Sequence, residues 1–317
     1  MSDIPIIDVS AMATTGAAHR RLIDDFATAY GETGFAYITG HGIAPDLMGA
    51  VFDASKAFHA LPLTEKLAIR LNRYHRGYIP INTSTDVTTT LAKVTRPNQS
   101  ASFMMMREDA EHDPKVYLSG PNQWLDLAHF RPVLETYSRE MTRLARNLTR
   151  VALSAAGADP AAFIAAFDPP TLWLRLLHYP PAPPQSPDDL FGSAPHRDFG
   201  CLTLLAQDQV GGLEVMTPDG DWLGAPYLEG SFVVNVGDML HRLSNGRLRS
   251  TPHRVINRSG RERYSVPFFF DPHVNTEIKP LNGTGTPGFA PILFGDFLRG
   301  ELEAGYDDHK PAPGVDL

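Results

Sequence analysis

The sequence predicts an α+β fold with a mainly β core. Apolar residues recur at helical spacing through much of the first half of the chain. After residue 170 the pattern changes to short apolar or alternating segments, separated by Gly, Pro and Asp. Six such segments fall within about 100 residues with no long helix between them, which is typical of an antiparallel sandwich or barrel.

The N-terminal part alternates short strands and helices. IPIID at residues 4–8 and FAYIT at 35–39 are predicted strands, the second of them bounded by glycines. Helices are predicted at about 17–31 and 44–60, where apolar residues recur on one side. Residues 72–127 are polar loop material interrupted by the apolar run ASFMMM, so we assign no elements there.

A long amphipathic helix is predicted over about residues 128–156, with a buried stripe that includes Leu134, Leu144 and Leu148. The six strand segments that follow are TLWLRLLHY, CLTLLAQ, GLEVM, SFVVNV, HRVIN and RYSVPFFF. A late helix is predicted at 294–306, and the Pro-containing C-terminal end is expected to be loose.

Length and composition exclude several classes of protein. A chain of 317 residues with 43% hydrophobic and 20% charged residues is ordinary for a folded enzyme. Its single cysteine, Cys201, excludes an intrachain disulfide and suits a reducing cytoplasm. We expect neither export nor a membrane span, because no stretch approaches the roughly 20 apolar residues that a membrane helix needs. The net charge of −8 argues against nucleic-acid binding, which requires clustered basic residues.

A candidate metal site lies in the β-rich part. His196 and Asp198 are two residues apart in APHRDFG, and alternate side chains of a strand share one face. This spacing alone is weak evidence, because a chain with 12 His and 24 Asp should contain about one such pair by chance. His253, in TPHRVIN, begins another apolar strand. A single His in a strand is more often structural, but two His and one carboxylate together form the ligand set of non-haem Fe(II) oxygenases.

An arginine follows the last of these histidines. Arg263 and Ser265, in RYSVPFFF, share one face of a predicted strand. An arginine that points into an apolar barrel is costly without an anion, and no nearby acid in the sequence supplies one. A ligand carboxylate could accept two bonds from the guanidinium and a third from the serine. Taken alone, the arginine would more often reach solvent or a backbone carbonyl.

The chain resembles the Fe(II)- and 2-oxoglutarate-dependent dioxygenases, in their isopenicillin N synthase-like branch. Beyond the residues above, the resemblance rests on FAYITGHGI, QDQVGGLEV, FVVNVGDML, NGRLRSTPHRV and RYSVPFFFDP, and it extends from about Ile4 to Asp271. It implies a double-stranded β-helix (jelly-roll) with N-terminal and flanking helices.

On this basis we divide the chain into four parts. Residues 1–125 form an N-terminal dioxygenase region of helices and short strands that pack on the barrel, and 126–170 contain a long supporting helix. Residues 171–275 form the jelly-roll core for Fe(II) and 2-oxoglutarate, and 276–317 form a C-terminal helix and tail.

The resemblance also implies roles for single residues. His196, Asp198 and His253 would bind Fe(II), while Arg263 and Ser265 would hold the distal carboxylate of 2-oxoglutarate. The activity implied is oxidation by O2, most simply hydroxylation of a small organic molecule, with decarboxylation of 2-oxoglutarate to succinate and CO2.

Further site residues are predicted less directly. Tyr179 is similar to a tyrosine that often supports the cosubstrate, although many plant relatives have Asn where this chain has Leu177. Phe103 and Met104 lie in a region that helps to roof the pocket in relatives, and Phe269 shares the inward face of its strand, so all three are candidate substrate contacts. Packing in the core explains these three residues equally well.

Other functions remain open at this point. One alternative is a non-haem iron oxidase or cyclase of the same fold that does not use 2-oxoglutarate, and another is a jelly-roll that binds a ligand without turnover. A zinc hydrolase could use the same ligands. The complete ligand set and the Arg263/Ser265 pair favour the dioxygenase. Its expected partner is a small-molecule substrate, with no nucleic acid and no membrane, and the oligomeric state is left open.

Overall fold

The computed structural model describes residues 4–85, 94, 96–183, 185–187, 189–306 and 309. Its helices are α1 (Ala17–Glu32), α2 (Pro45–Ala60), α3 (Leu63–Ala68), α4 (Phe130–Ala155), α5 (Asp238–Leu243) and α6 (Phe294–Gly305). Its strands are β1 (Ile6–Asp8), β2 (Phe35–Thr39), β3 (Gly77–Ile79), β4 (Ala101–Met106), β5 (Thr171–Tyr179), β6 (Ser193–His196), β7 (Leu202–Gln207), β8 (Leu213–Met216), β9 (Trp222–Gly224), β10 (Phe232–Val236), β11 (His253–Val255), β12 (Arg263–Asp271), β13 (Glu277–Ile278) and β14 (Ile292–Leu293).

Two facing sheets form the core. The larger sheet has the strand order β1-β2-β10-β7-β12-β5-β4-β3, and the smaller has the order β6-β11-β8-β9. Within these sheets every pairing is antiparallel except that of β1 with β2. Apolar residues of both sheets pack together in one buried cluster, in which Leu213 and Val255 of the smaller sheet meet Val233 and Leu177 of the larger. This arrangement confirms the predicted α+β fold with a jelly-roll core.

All six segments predicted as strands are strands. Two short strands of the smaller sheet, β6 and β9, are not evident from the sequence. β6 contains Pro195 and has four residues, while β9 has three residues and is only partly buried. Neither therefore shows an apolar or alternating run long enough to be read as a strand.

The N-terminal part of the chain continues the larger sheet. β2 pairs with β10, and β4 pairs with β5, so strands from the first 125 residues flank the jelly-roll strands through backbone hydrogen bonds. Residues 72–127, where the sequence predicts no elements, contain β3 and β4. The run ASFMMM is β4, and all six of its residues are buried.

Helices cover the outer face of the larger sheet. α1, α2 and α4 pack against its strands, and α4 also contacts both α1 and α2. The predicted stripe of α4 is buried as expected, including Leu134, Leu144 and Leu148, and the helix lies within about two residues of its predicted limits. No helix in the described part of the chain is both long and apolar enough to cross a membrane. The predicted loose end beyond residue 309 lies outside the described residues.

An aromatic cluster joins these helices to the sheet. Phe58 of α2 packs against Phe103 of β4 and Phe130 of α4, with ring centroids 5.1 and 5.3 Å away. All three side chains are almost completely buried. Because aromatic pairs at this separation combine large buried area with favourable ring contacts, the cluster holds α2 and α4 in place on the sheet.

We predict that Phe58→Ala lowers the free energy of unfolding by about 3–5 kcal/mol, because it leaves a cavity that the surrounding rings cannot fill. Urea unfolding followed by circular dichroism measures this change. Leu63→Ala is the control, since Leu63 is 56% exposed and its truncation should cost less than about 0.5 kcal/mol. Equal effects of the two substitutions would contradict the assignment of Phe58 to the packing centre.

Candidate metal centre

The three candidate metal ligands lie on two neighbouring strands and a loop. His196 is the last residue of β6, and His253, the first residue of β11, lies directly opposite it in the antiparallel pair. The prediction that Asp198 shares a strand face with His196 is wrong, because β6 ends at His196. Asp198 lies in the loop that follows β6, and the carboxylate of Asp198 faces both histidines.

The ligand atoms of these residues converge. Nε2 of His196 and Nε2 of His253 each lie 3.7 Å from Oδ1 of Asp198, and the two imidazole centroids are 4.3 Å apart. One ligand atom from each residue lies within 4.8 Å of the other two, and within the described ranges no other set of three His, Cys, Asp or Glu residues does so. Two imidazole nitrogens and one carboxylate oxygen are donors that suit a divalent transition metal.

Backbone carbonyls orient both imidazoles. Nδ1 of His196 lies 2.7 Å from the carbonyl oxygen of Ala194, and Nδ1 of His253 lies 3.4 Å from that of Thr251. A ring whose Nδ1–H donates to a carbonyl carries its lone pair on Nε2, the atom that faces Asp198. In its neutral form each histidine is therefore held in the tautomer that can bind a metal through Nε2.

Two polar residues hold the carboxylate of Asp198. Its Oδ2 accepts hydrogen bonds from the Thr203 hydroxyl and from Nδ2 of Asn235, the latter at 2.7 Å, which leaves Oδ1 toward the histidines. Burial works to raise the pKa of Asp198, but the two histidines and these two donors outweigh it and lower that pKa below its ordinary value. The sequence reasoning missed Thr203 and Asn235, although an Asn inside the apolar run FVVNV is a signal that something polar is buried beside it.

The loop after Asp198 is fixed by close backbone packing. Amide N–H groups at the start of α5 donate to its carbonyls, as in the 2.8 Å bond from Asp238 N to the oxygen of Asp198. A Cβ atom on Gly237 would lie 2.4 Å from the carbonyl oxygen of Gly200, and one on Gly200 would strike the carboxylate of Asp271. Both positions therefore require glycine, and the loop that carries Asp198 depends on them.

Arg263 is a completely buried cation without an acidic partner. Its Nε donates to the carbonyl oxygen of Gly211 at 2.6 Å, and its Nη1 donates to Oγ of Ser265 at 3.3 Å. Its guanidinium lies over the ring of Tyr179, 4.6 Å from the centroid. Nη2 has no hydrogen-bond partner, and no acid in the described ranges forms an ion pair with this arginine. A buried guanidinium in this state can accommodate a ligand carboxylate.

These groups open onto one cavity of about 140 Å³. Its walls include nearly all the site residues that the sequence predicts: His196, Asp198, His253, Arg263, Ser265, Tyr179, Met104 and Phe269. The exception is Phe103, which does not line the cavity. Side chains alternate along β4, so Met104 points into the cavity while Phe103 points into the aromatic cluster with Phe58 and Phe130.

Asp271 is a buried carboxyl at the edge of this cavity. Its Oδ1 accepts the backbone N–H of Cys201 at 2.6 Å. Burial, reinforced by the nearby charge of Asp198, raises the pKa of Asp271 to about 7, although the Cys201 N–H opposes the shift. The folded state therefore holds a proton on Asp271 at pH values where the unfolded chain has lost it.

We predict that Asp271→Asn removes a part of the pH dependence of stability. Because the folded pKa is raised, the stabilisation from this proton is complete below about pH 4 and is lost as the pH rises through about 7. Relative to wild type, the variant should gain about 2.5 kcal/mol in free energy of unfolding between pH 5 and pH 8. Urea unfolding of both metal-free proteins in EDTA measures this difference, and a difference that is constant with pH would contradict the shifted pKa.

The chain matches two family models that together cover most of its length. Residues 170–272 match the model described as the 2OG-Fe(II) oxygenase superfamily. Residues 4–127 match the model described as non-haem dioxygenase in morphine synthesis N-terminal. The first match contains all three candidate metal ligands and the Arg263/Ser265 pair.

Curated relatives and solved structures agree with these matches. The chain is 36% identical over 320 residues to the 2-oxoglutarate-Fe(II) type oxidoreductase hxnY of Emericella nidulans, which covers 95% of this chain and 90% of the relative. It is also 36% identical to the 2-oxoglutarate-dependent dioxygenase citB of Monascus ruber, over 89% of this chain and 88% of the relative. The crystal structure of a full-length Neurospora crassa protein in complex with alpha-KG and thymine superposes with a TM-score of 0.82 at 28% identity, over 95% of this chain and 96% of the other.

These findings confirm the predicted family, the jelly-roll fold and the use of Fe(II) and 2-oxoglutarate (alpha-KG). This chain therefore belongs to the 2OG-Fe(II) oxygenase superfamily, as an Fe(II)- and 2-oxoglutarate-dependent dioxygenase.

Proposed function

We propose that this dioxygenase hydroxylates a small organic molecule, with Fe(II) bound by His196, Asp198 and His253. We further propose that Arg263 and Ser265 bind the distal carboxylate of 2-oxoglutarate. The observation that carries the proposal is the buried guanidinium of Arg263, which has an unpartnered Nη2 and opens onto the same cavity as the three ligand atoms.

The donor set fits Fe(II). Two imidazole nitrogens and one carboxylate oxygen approach from three points, and the second carboxylate oxygen is already used by protein donors. When bound, Fe(II) activates O2 with electrons from the oxidative decarboxylation of 2-oxoglutarate, which yields succinate and CO2. A zinc hydrolase could use the same three ligands, but it would not explain the buried arginine beside them. A 2-oxoglutarate-independent oxidase could bind a substrate carboxylate on that arginine, and the relatives named as 2-oxoglutarate-dependent favour the dioxygenase over it.

The protein's own groups bind, orient and exclude water. The fork of Arg263 and the hydroxyl of Ser265 offer donors to one carboxylate, and the ring of Tyr179 supports the guanidinium from its face. Apolar side chains of both sheets, including Leu205 and Val255, line the cavity and keep it poor in water.

The solved relatives support a small-molecule substrate. The Neurospora crassa relative was crystallised with thymine, and a rice relative is described as a dioxygenase for auxin oxidation. In this chain Met104 and Phe269 line the cavity and are the substrate contacts that we propose from the sequence prediction. The buried, unpaired Cys201 is in keeping with a reducing cytoplasm, which is the location we propose.

We predict that His196→Ala and His253→Ala each weaken Fe(II) binding by about 100-fold or more, because each removes a ligand atom. Asn235→Ala should weaken it by about 10- to 100-fold, since Asp198 then loses a donor that orients it. Anaerobic titration with Fe(II), followed by calorimetry, measures these affinities. His19→Ala, on α1, is the control and should bind as wild type. Wild-type affinity in the His253→Ala protein would show that the site lies elsewhere.

A second prediction concerns the cosubstrate. Arg263→Ala should raise the concentration of 2-oxoglutarate needed for half-saturation by about 10- to 100-fold, because a charge-assisted pair is lost. The readout is the weak visible charge-transfer band of a keto acid chelated to Fe(II) under anaerobic conditions. Its intensity at saturation should be unchanged, since the keto-acid end keeps its own contacts.

Arg261→Ala is the matched control for this experiment, because Arg261 is exposed and lies two residues before Arg263. Its half-saturating concentration should equal that of wild type. If Arg263→Ala also left that concentration unchanged, the proposed carboxylate site would be wrong.

A further inference from the structure

A second arginine points into the same cavity. Arg175 lies in the middle of β5, on the inward row that also contains Trp173, Leu177 and Tyr179, and all four side chains line the cavity. The other three members of this row are aromatic or aliphatic. A cation in such a row is costly unless a partner compensates it, so its presence requires an explanation.

The protein gives Arg175 only neutral partners. Its Nε donates to Oγ of Ser102 at 2.8 Å, and Ser102 is completely buried on the neighbouring strand β4. Its Nη1 donates weakly to the hydroxyl of Tyr306 at 3.3 Å. No acid in the described part of the chain forms an ion pair with Arg175, and its Nη2 has no partner there. The buried Ser102 thus orients the guanidinium of Arg175, and its Nη2 remains available to a ligand.

The other charged groups of the cavity do not neutralise Arg175. Among the acids, Asp198 faces the two histidines, and Asp271 accepts the N–H of Cys201. Glu301 of α6 also lines the cavity but makes no ion pair with Arg175. His75, which packs nearby, is completely buried, and burial lowers its pKa well below the ordinary value, so it is neutral.

The proposed position of the cosubstrate leaves Arg175 unoccupied. In the register of β12 with β5, Arg263 lies opposite Tyr179, four residues from Arg175. The Cα atoms of the two arginines are thus separated along the strand direction by roughly 13 Å. With one carboxylate of 2-oxoglutarate on Arg263 and its keto-acid end at the metal, Arg175 is left for a second anion.

We propose that Arg175 binds a carboxylate of the substrate, and that the substrate is therefore a small organic acid with an apolar or aromatic body. This inference rests on the proposed function and specifies its substrate class. The planar guanidinium fork matches a carboxylate, which can accept two parallel hydrogen bonds from it. Met104, which pairs with Arg175 across β4 and β5, and the rings of Trp173 and Phe269 provide the surface for the apolar body.

The test compares acids with their neutral amides on the intact holoenzyme. The protein is loaded anaerobically with Fe(II) and saturating 2-oxoglutarate, so that the Arg263 site is filled. Benzoate, phenylacetate and cinnamate are then titrated alongside benzamide, phenylacetamide and cinnamamide. Binding is followed by perturbation of the charge-transfer band and by quenching of tryptophan fluorescence, to which Trp173 in the cavity wall should contribute.

We expect at least one acid to bind about 10- to 100-fold more tightly than its amide, and Arg175→Gln to abolish that preference. Arg175→Lys, which keeps the charge but loses the fork, should keep part of the preference. Arg143→Gln is the control, because Arg143 is exposed on α4, and its preference should match that of wild type.

Two results would overturn the proposal. The first is that no acid in the panel binds wild type more tightly than its amide. The second is that Arg175→Gln or Arg175→Lys raises the half-saturating concentration of 2-oxoglutarate, which would assign Arg175 to the cosubstrate. An Arg175→Gln protein that forms the normal charge-transfer band but shows no preference for acids supports the proposal. Absence of the band in wild type would instead be a failure of the proposed function and is recognised before any acid is added.

Discussion

Asp198 presents one oxygen to two histidines while protein donors occupy its other oxygen, and the candidate metal centre depends on this division. Thr203 on β7 and Asn235 on β10 supply the donors, so the larger sheet sets the orientation of a carboxylate that follows a strand of the smaller sheet. The centre is thus assembled from both sheets. Its geometry follows from how the sheets face each other rather than from any one segment of the chain.

Two arginines face the cavity without an acidic partner among the residues that the structure describes. Arg263 and Arg175 both face it, and neither has an acid within ion-pair distance in the described ranges. Buried or half-buried cations of this kind cost stability in the absence of ligands. Two anionic ligands, one at each end of the cavity, would compensate both. The electrostatics of the cavity thus suit a reaction that needs a dicarboxylate cosubstrate and, as we propose, an acidic substrate.

Much of the fold could be predicted from the sequence. The apolar periodicity of a long helix or strand, and the order of the motifs along the chain, are visible in the sequence itself. The stripe of α4 and the long strands β5 and β12 follow directly from periodicity. The short strands β6 and β9 could not be predicted, since three or four residues are too few to show a recurring apolar pattern. The order of His196, Asp198, His253 and Arg263 predicted a candidate site whose residues the structure brings together, but it gave the wrong local structure for Asp198.

Contacts between residues that are far apart along the chain could not be predicted from the sequence. In the sequence, Arg175 is one residue of the apolar strand TLWLRLLHY and gives no sign of a special role. Only the pairing of β5 with β4 shows that Ser102 accepts a hydrogen bond from its Nε. Phe103 and Met104 are adjacent in sequence, yet only the placement of β4 decides which of them meets the cavity and which meets the aromatic cluster. Such assignments depend on three-dimensional packing, which the composition of a segment does not encode.

The most direct test of the account is a crystal structure of the protein loaded anaerobically with Fe(II) and 2-oxoglutarate, with anomalous data collected at the iron edge. We expect one iron peak bound by Nε2 of His196, Nε2 of His253 and Oδ1 of Asp198. We also expect the distal carboxylate of 2-oxoglutarate on Nη2 of Arg263 and the hydroxyl of Ser265, with no part of the cosubstrate on Arg175. Iron at another place, or that carboxylate bound to Arg175, would contradict it.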